Sequence, residues 1–149
     1  MSSRKTPGPE LGDSLVYLLK HAYLDAERRV DAALVAFGLN ARELGVLVAV
    51  AGPEPLSQQQ LAQRLGVDRT TMVALLDALE RKGVVGRRPH TADRRRNVVE
   101  LTDTGRVTFD QALIARDAAE ANFLGPLNSG ADAQRLRETL KILNTHGHA

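Results

Sequence analysis

Between positions 11 and 37, apolar residues return every three or four places: Leu11, Leu15, Leu18, Leu19, Ala22, Ala26, Val30, Ala33, Leu34 and Phe37. That spacing predicts an amphipathic helix with one apolar stripe. A continuous helix of that extent would be about 40 Å long, more than the roughly 30 Å span of a small domain. Its stripe therefore needs cover from outside its own domain. The other end of the chain repeats the pattern, with Ala133, Leu136, Leu140 and Leu143 spaced like a coiled-coil seam. A chain bounded by two such helices is expected to pair with a second copy through Leu11, Leu15, Leu136, Leu140 and Leu143.

The middle of the chain is punctuated by caps. Asn40 with Glu43, and Ser57 with Gln60, have the spacing of capping boxes. Gly52-Pro53-Glu54-Pro55 separates these two helix starts. Leu61, Ala62 and Leu65 form a short apolar face that Gly66 ends, and Asp68 can cap the next helix. That helix carries Met72, Leu75, Leu76 and Leu79 and stops at Gly83. The period then changes. Val84–Arg88 and Asn97–Leu101 are strand-like and joined by a polar loop, which predicts a hairpin. Thr102 can cap a further helix to about Phe123, and Gly125-Pro126 breaks it.

The expected fold is mainly α with a small β-hairpin wing (α+β): a winged helix-turn-helix with long N- and C-terminal dimerisation helices. We expect one domain over 1–149, a winged lobe over 55–102, and a helical dimerisation region over 10–52 and 103–146. A chain of 149 residues can bury enough surface to fold without staples. With no cysteine it can build neither a disulfide nor a thiolate metal site. No apolar run approaches a membrane span, and the first nine residues lack the apolar core of a signal peptide. A soluble cytoplasmic protein is expected.

The net charge of +2 says little, but its distribution says more. Arg81, Lys82, Arg87, Arg88, Arg94, Arg95 and Arg96 stand against Asp93, so residues 81–96 carry +6 and the remainder −4. A basic block on an acidic body is the footprint of a polyanion site.

The run from Ser57 through Leu65-Gly66-Val67 to Val73 resembles the helix-turn-helix of the MarR family of bacterial and archaeal winged-helix regulators. The match continues through Leu76–Val85 to the wing signature Asp93-Arg94-Arg95-Arg96 and the closing Leu101-Thr102. The flanking helices extend it to about positions 11–145. Where the family often has a hydroxyl and a basic residue, this chain has Val73 and Ala74, which favours apolar contact with thymine methyls.

A recognition helix presents its first residues to base edges in the major groove, here Arg69, Thr70 and Thr71. Arg69 can approach guanine bidentately, and either threonine can donate, accept or present a methyl. A hairpin tip with Arg94, Arg95 and Arg96 suits a minor groove, with Asp93 shaping it. By the resemblance, Arg95 is the arginine of the family's Asp-x-Arg motif. Arg87 and Arg88 on the incoming strand are expected to touch phosphates.

The resemblance implies a dimeric repressor on a pseudo-palindromic double-stranded DNA operator, released by a small aromatic or phenolic ligand. Tyr17 and His21, with Arg28 further along the first helix, are the candidates for holding such an effector. No catalytic motif is present, so no enzyme activity, cofactor or metal is expected. The histidines are His21, His90, His146 and His148, with no His-Glu-x-x-His among them. The alternative is a winged-helix module that binds protein or RNA.

Overall fold

The computed structural model describes residues 9–89, 92, 97–127 and 129–147. The helices are α1 (Pro9–Gly12), α2 (Leu15–Leu34), α3 (Ala41–Val50), α4 (Gln58–Leu65), α5 (Arg69–Arg81), α6 (Asp103–Phe123) and α7 (Gly130–Gly147). The strands are β1 (Leu56–Ser57), β2 (Val85–Pro89) and β3 (Asn97–Leu101). Among the described residues, no single helix is long and apolar enough to cross a membrane.

The first helix is not continuous. Ser14 adopts extended backbone (φ −68°, ψ 122°) as the N-cap of α2, and its N–H closes a turn onto the Leu11 carbonyl at 3.1 Å. At the other end a 3₁₀ turn (Val35–Phe37) leads to Gly38 at φ 67°, in the left-handed region where glycine has no steric penalty. The main helix therefore has 20 residues and spans about 30 Å. The apolar spacing runs through the break, so periodicity could not reveal it. The C-terminal end of α2 is anchored by buried Val30 and Leu34, whereas Leu15 and Val16 at its start are exposed.

The other caps form where their residue types allow. The Asn40 side chain accepts from the Glu43 N–H at 2.8 Å, and Glu43 reciprocates on the Asn40 N–H at 3.1 Å. Ser57 and Gln60 do the same at 3.2 and 2.8 Å. Ser57 also lies in β1, a two-residue strand pairing Leu56 with Val99 and Ser57 with Val98. The sheet is antiparallel with order β1-β3-β2, so the hairpin gains a third strand. Two residues are too short to carry a period.

The core is built on Leu44, Val46 and Leu47 of α3, Leu61 of α4, and Met72, Leu76 and Leu79 of α5, with Val98 from the sheet. Within the span 10–52, α3 packs on α4, α5 and β3 as well as on α2 and α6. The long helix α6 lies along α2 and buries Phe109, Ala112 and Ala119. On α7, Leu140 is half-buried, but Leu136 and Leu143 stay exposed.

Thr102 joins the recognition helix to the rest. Its hydroxyl donates to the Gly83 carbonyl at 2.6 Å and accepts from the Gly105 N–H at 2.9 Å. Its own N–H donates to the Val84 carbonyl at 3.1 Å. This close approach requires glycine at 105, where a Cβ would sit 1.9 Å from the Val84 carbonyl oxygen. Backbone cannot yield as a side-chain tip would. Gly105→Ala should destabilise the chain by roughly 3 kcal/mol, as overpacking does, and lower its Tm by about 10 °C. An unchanged thermal melt would contradict this packing.

Candidate nucleic-acid interface

The α4–α5 turn is made by Gly66 at φ 63°, with the Val67 N–H returning to the Ala62 carbonyl at 3.1 Å. Asp68 then caps α5, its carboxylate accepting the Thr71 N–H at 2.6 Å. Burial of Met72, Leu76 and Leu79 fixes the rotation of α5 about its axis. Arg69, Thr70 and Ala74 consequently face outward, with Thr71 and Val73 half-buried beside them.

A polar groove runs from this first turn to the sheet. Arg69 lines it with Gln58, Gln59 and Gln63 of α4 and Asn97 at the start of β3. The recognition helix and the base of the hairpin therefore share one face. The run of glutamines was visible in the sequence, but which of them face the groove depends on how α4 packs. Asp93, Arg94, Arg95 and Arg96 lie outside the described residues.

The basic block is partly neutralised in place. Arg87 forks onto two acids of α5, with Nη2 3.1 Å from Asp77 and Nη1 3.2 Å from Glu80. Arg88 meets Glu100 across the hairpin at 2.7 Å, and Lys82 meets buried Glu43 at 2.6 Å. Arg87 and Arg88, expected to touch phosphates, thus face carboxylates in the chain without DNA. By contrast, Arg69 and Arg81 make no ion pair among the described residues.

The pattern of the MarR family matches residues 37–96. The HTH-type transcriptional repressor MdtR of Bacillus subtilis is 30% identical over 105 residues, covering 70% of this chain and 68% of that protein. The chain belongs to the MarR family. Two solved structures share its fold. The transcriptional repressor CouR bound to a 23-mer DNA duplex superposes with a TM-score of 0.85 at 28% identity, covering 95% of this chain and 99% of that one. CouR from Rhodococcus jostii RHA1 bound to p-coumaroyl-CoA gives 0.78 at 29%, covering 89% and 93%.

In this MarR-family chain, a cavity of about 490 Å³ opens where α2 meets the winged lobe. Its walls include Tyr23, Glu27 and Val30 of α2, Arg42 and Gly45 of α3, and Leu75 of α5. The Tyr23 hydroxyl donates to the Glu27 carboxylate. That hydrogen bond, with some burial and the nearby negative charge, raises the Tyr23 pKa, while Arg42 pulls it the other way.

Tyr17, His21 and Arg28 do not line this cavity. The Tyr17 and His21 rings touch at a tilt of 40°, 4.1 Å between centroids, and Arg28 pairs with Asp25. The reason is helical phase: six residues from Tyr17 to Tyr23 rotate the side chain by about 240°. Periodicity defines faces relative to one another, but not which face meets the lobe.

Hydrogen bonds from the Thr71 backbone N–H, then from its hydroxyl, hold the Asp68 carboxyl below its ordinary value of 3.8. The folded state thus favours the carboxylate. The cap contributes fully above the unfolded pKa and is lost as pH falls through the lower folded value. An NMR titration should place Asp68 below 3.8, and Asp68→Ala should remove protection from the Thr71 amide. A midpoint at or above the ordinary value would sink this account of the cap.

Proposed function

We propose that this chain is a homodimeric, sequence-specific double-stranded DNA-binding repressor of transcription, released by a small aromatic ligand. It acts in the cytoplasm and is not an enzyme. The observation that carries the reading is the shared face: a capped recognition-helix turn bearing Arg69, Thr70 and Thr71 beside the base of a hairpin. The DNA-bound relative has this same architecture over nearly its whole length.

In this reading Arg69, Thr70 and Thr71 meet base edges, with Val73 and Ala74 against thymine methyls. Arg94, Arg95 and Arg96 enter the minor groove, and Asp93 shapes the tip. The exposed leucines at 11, 15, 136 and 143, with half-buried Leu140, are covered by a second copy. That copy supplies the second recognition helix for a pseudo-palindromic operator.

Operator binding should weaken steeply with salt, each neutralised phosphate adding about −0.9 to the log–log slope. Arg69→Ala should cost on the order of 1–3 kcal/mol at one base position and relax specificity there. Gel-shift measurements on operator and substituted duplexes check both. Equal affinity for RNA, or a flat salt response, would overturn the reading.

The ligand step is assigned to the cavity between α2 and the lobe. It is lined largely by apolar groups, and Leu75 places its wall on the back of the recognition helix. Tyr23 can stack a ring, and Arg42 can hold an acid. A Cβ built at Gly45 would meet only Leu65, at 3.9 Å, so a side chain fits the backbone there and extends into the cavity. Gly45→Leu should keep operator binding but abolish release by phenolic acids. Unchanged release in that variant would place the effector elsewhere.

A further inference from the structure

The contacts of Arg87 point to a role for the basic block that its charge does not reveal. Arg87 lies on β2 opposite Val99, and Arg88 opposite Val98. Alternation along a strand turns the two arginines to opposite faces. Arg87 is the one that meets α5, where Asp77 and Glu80 are three residues apart and on one helix face. Each guanidinium nitrogen of the fork takes one carboxylate, at 3.1 and 3.2 Å. The Arg87 Nε is buried with no hydrogen-bond partner among the described residues, so this side chain is seated against the protein.

Charge points the same way. One guanidinium between two carboxylates leaves the cluster at −1, which repels a phosphate. Lysine could supply the same charge, but not a planar fork reaching two acids at once.

We propose that Arg87 is a positioning residue: through Asp77 and Glu80 it fixes the angle of the wing against the recognition helix. This rests on the DNA-binding reading above. The recognition helix occupies a major groove and the wing the neighbouring minor groove. The angle between them therefore sets how far apart the two contacts fall along the duplex. A fixed angle turns the cluster into a ruler for that spacing, although none of its members touches DNA.

The acids make the test decisive, because the two roles for Arg87 predict opposite signs. Asp77 and Glu80 are about half exposed, so Asp77→Asn combined with Glu80→Gln should leave the chain folded, its Tm lowered by a few degrees at most. If Arg87 positions the wing, the double variant binds its operator more weakly, on the order of tenfold. Its preference for that operator over one with the minor-groove contact shifted by a base pair also shrinks. Arg87→Lys alone does the same, and added to the double variant it costs nothing further. If Arg87 instead grips a phosphate, removing the acids frees it. Binding then tightens, Arg87→Lys stays near wild type, and the proposal is overturned. An unchanged preference for spacing overturns it as well. Failure of the wild-type protein to bind any duplex would count against the DNA-binding reading itself, which separates the two.

Discussion

Thr102 is the joint on which the DNA-facing half of the molecule depends. Its hydroxyl and its N–H take up the carbonyls of Gly83 and Val84, just where α5 ends and β2 begins. The same hydroxyl caps α6 through the Gly105 N–H. One residue at the end of the hairpin therefore links the turn after the recognition helix to the start of α6. Because α6 also lies along α2, the end of the recognition helix is tied to a helix that packs on α2.

The caps were the most legible part of the fold. Asn40 with Glu43, Ser57 with Gln60, Asp68 and Thr102 all act within three residues, so the chemistry is complete in the local sequence. The hairpin and the outward rotation of α5 were equally readable, since burial of Met72, Leu76 and Leu79 leaves one orientation. Features that depend on assembly were not. The stop at Ser14 leaves the apolar spacing intact. The cavity uses Tyr23 rather than Tyr17 because only packing decides which stripe of α2 meets the lobe. The partners of Arg87 lie ten and seven residues away, and the packing of α5 on β2 brings them within reach.

The basic block shows the same limit in electrostatic form. A run of cations reads as one patch, but the folded chain sorts it. Lys82 fastens α5 to α3 through buried Glu43, Arg88 braces the hairpin against Glu100, and Arg87 joins hairpin to helix. The Arg87 and Arg88 pairs, whose acids are half exposed, contribute little to stability, about 0–1 kcal/mol each. Their value lies in geometry, since a guanidinium held from two sides cannot swing. The charge left to meet a polyanion is smaller than the sequence total, and Arg69 stands at its head on the recognition helix.

The uncovered leucines at both ends of the chain have a consequence for dosage. A surface patch of this kind is tolerated in water only while something sits on it. When that something is another copy, folding and self-association become one equilibrium, governed by how many chains a cell contains. Occupancy then follows the square of chain number at low abundance, so halving expression cuts occupancy to about a quarter. Such a chain counts its own copies before it acts, using nothing more than the oil on one side of two helices.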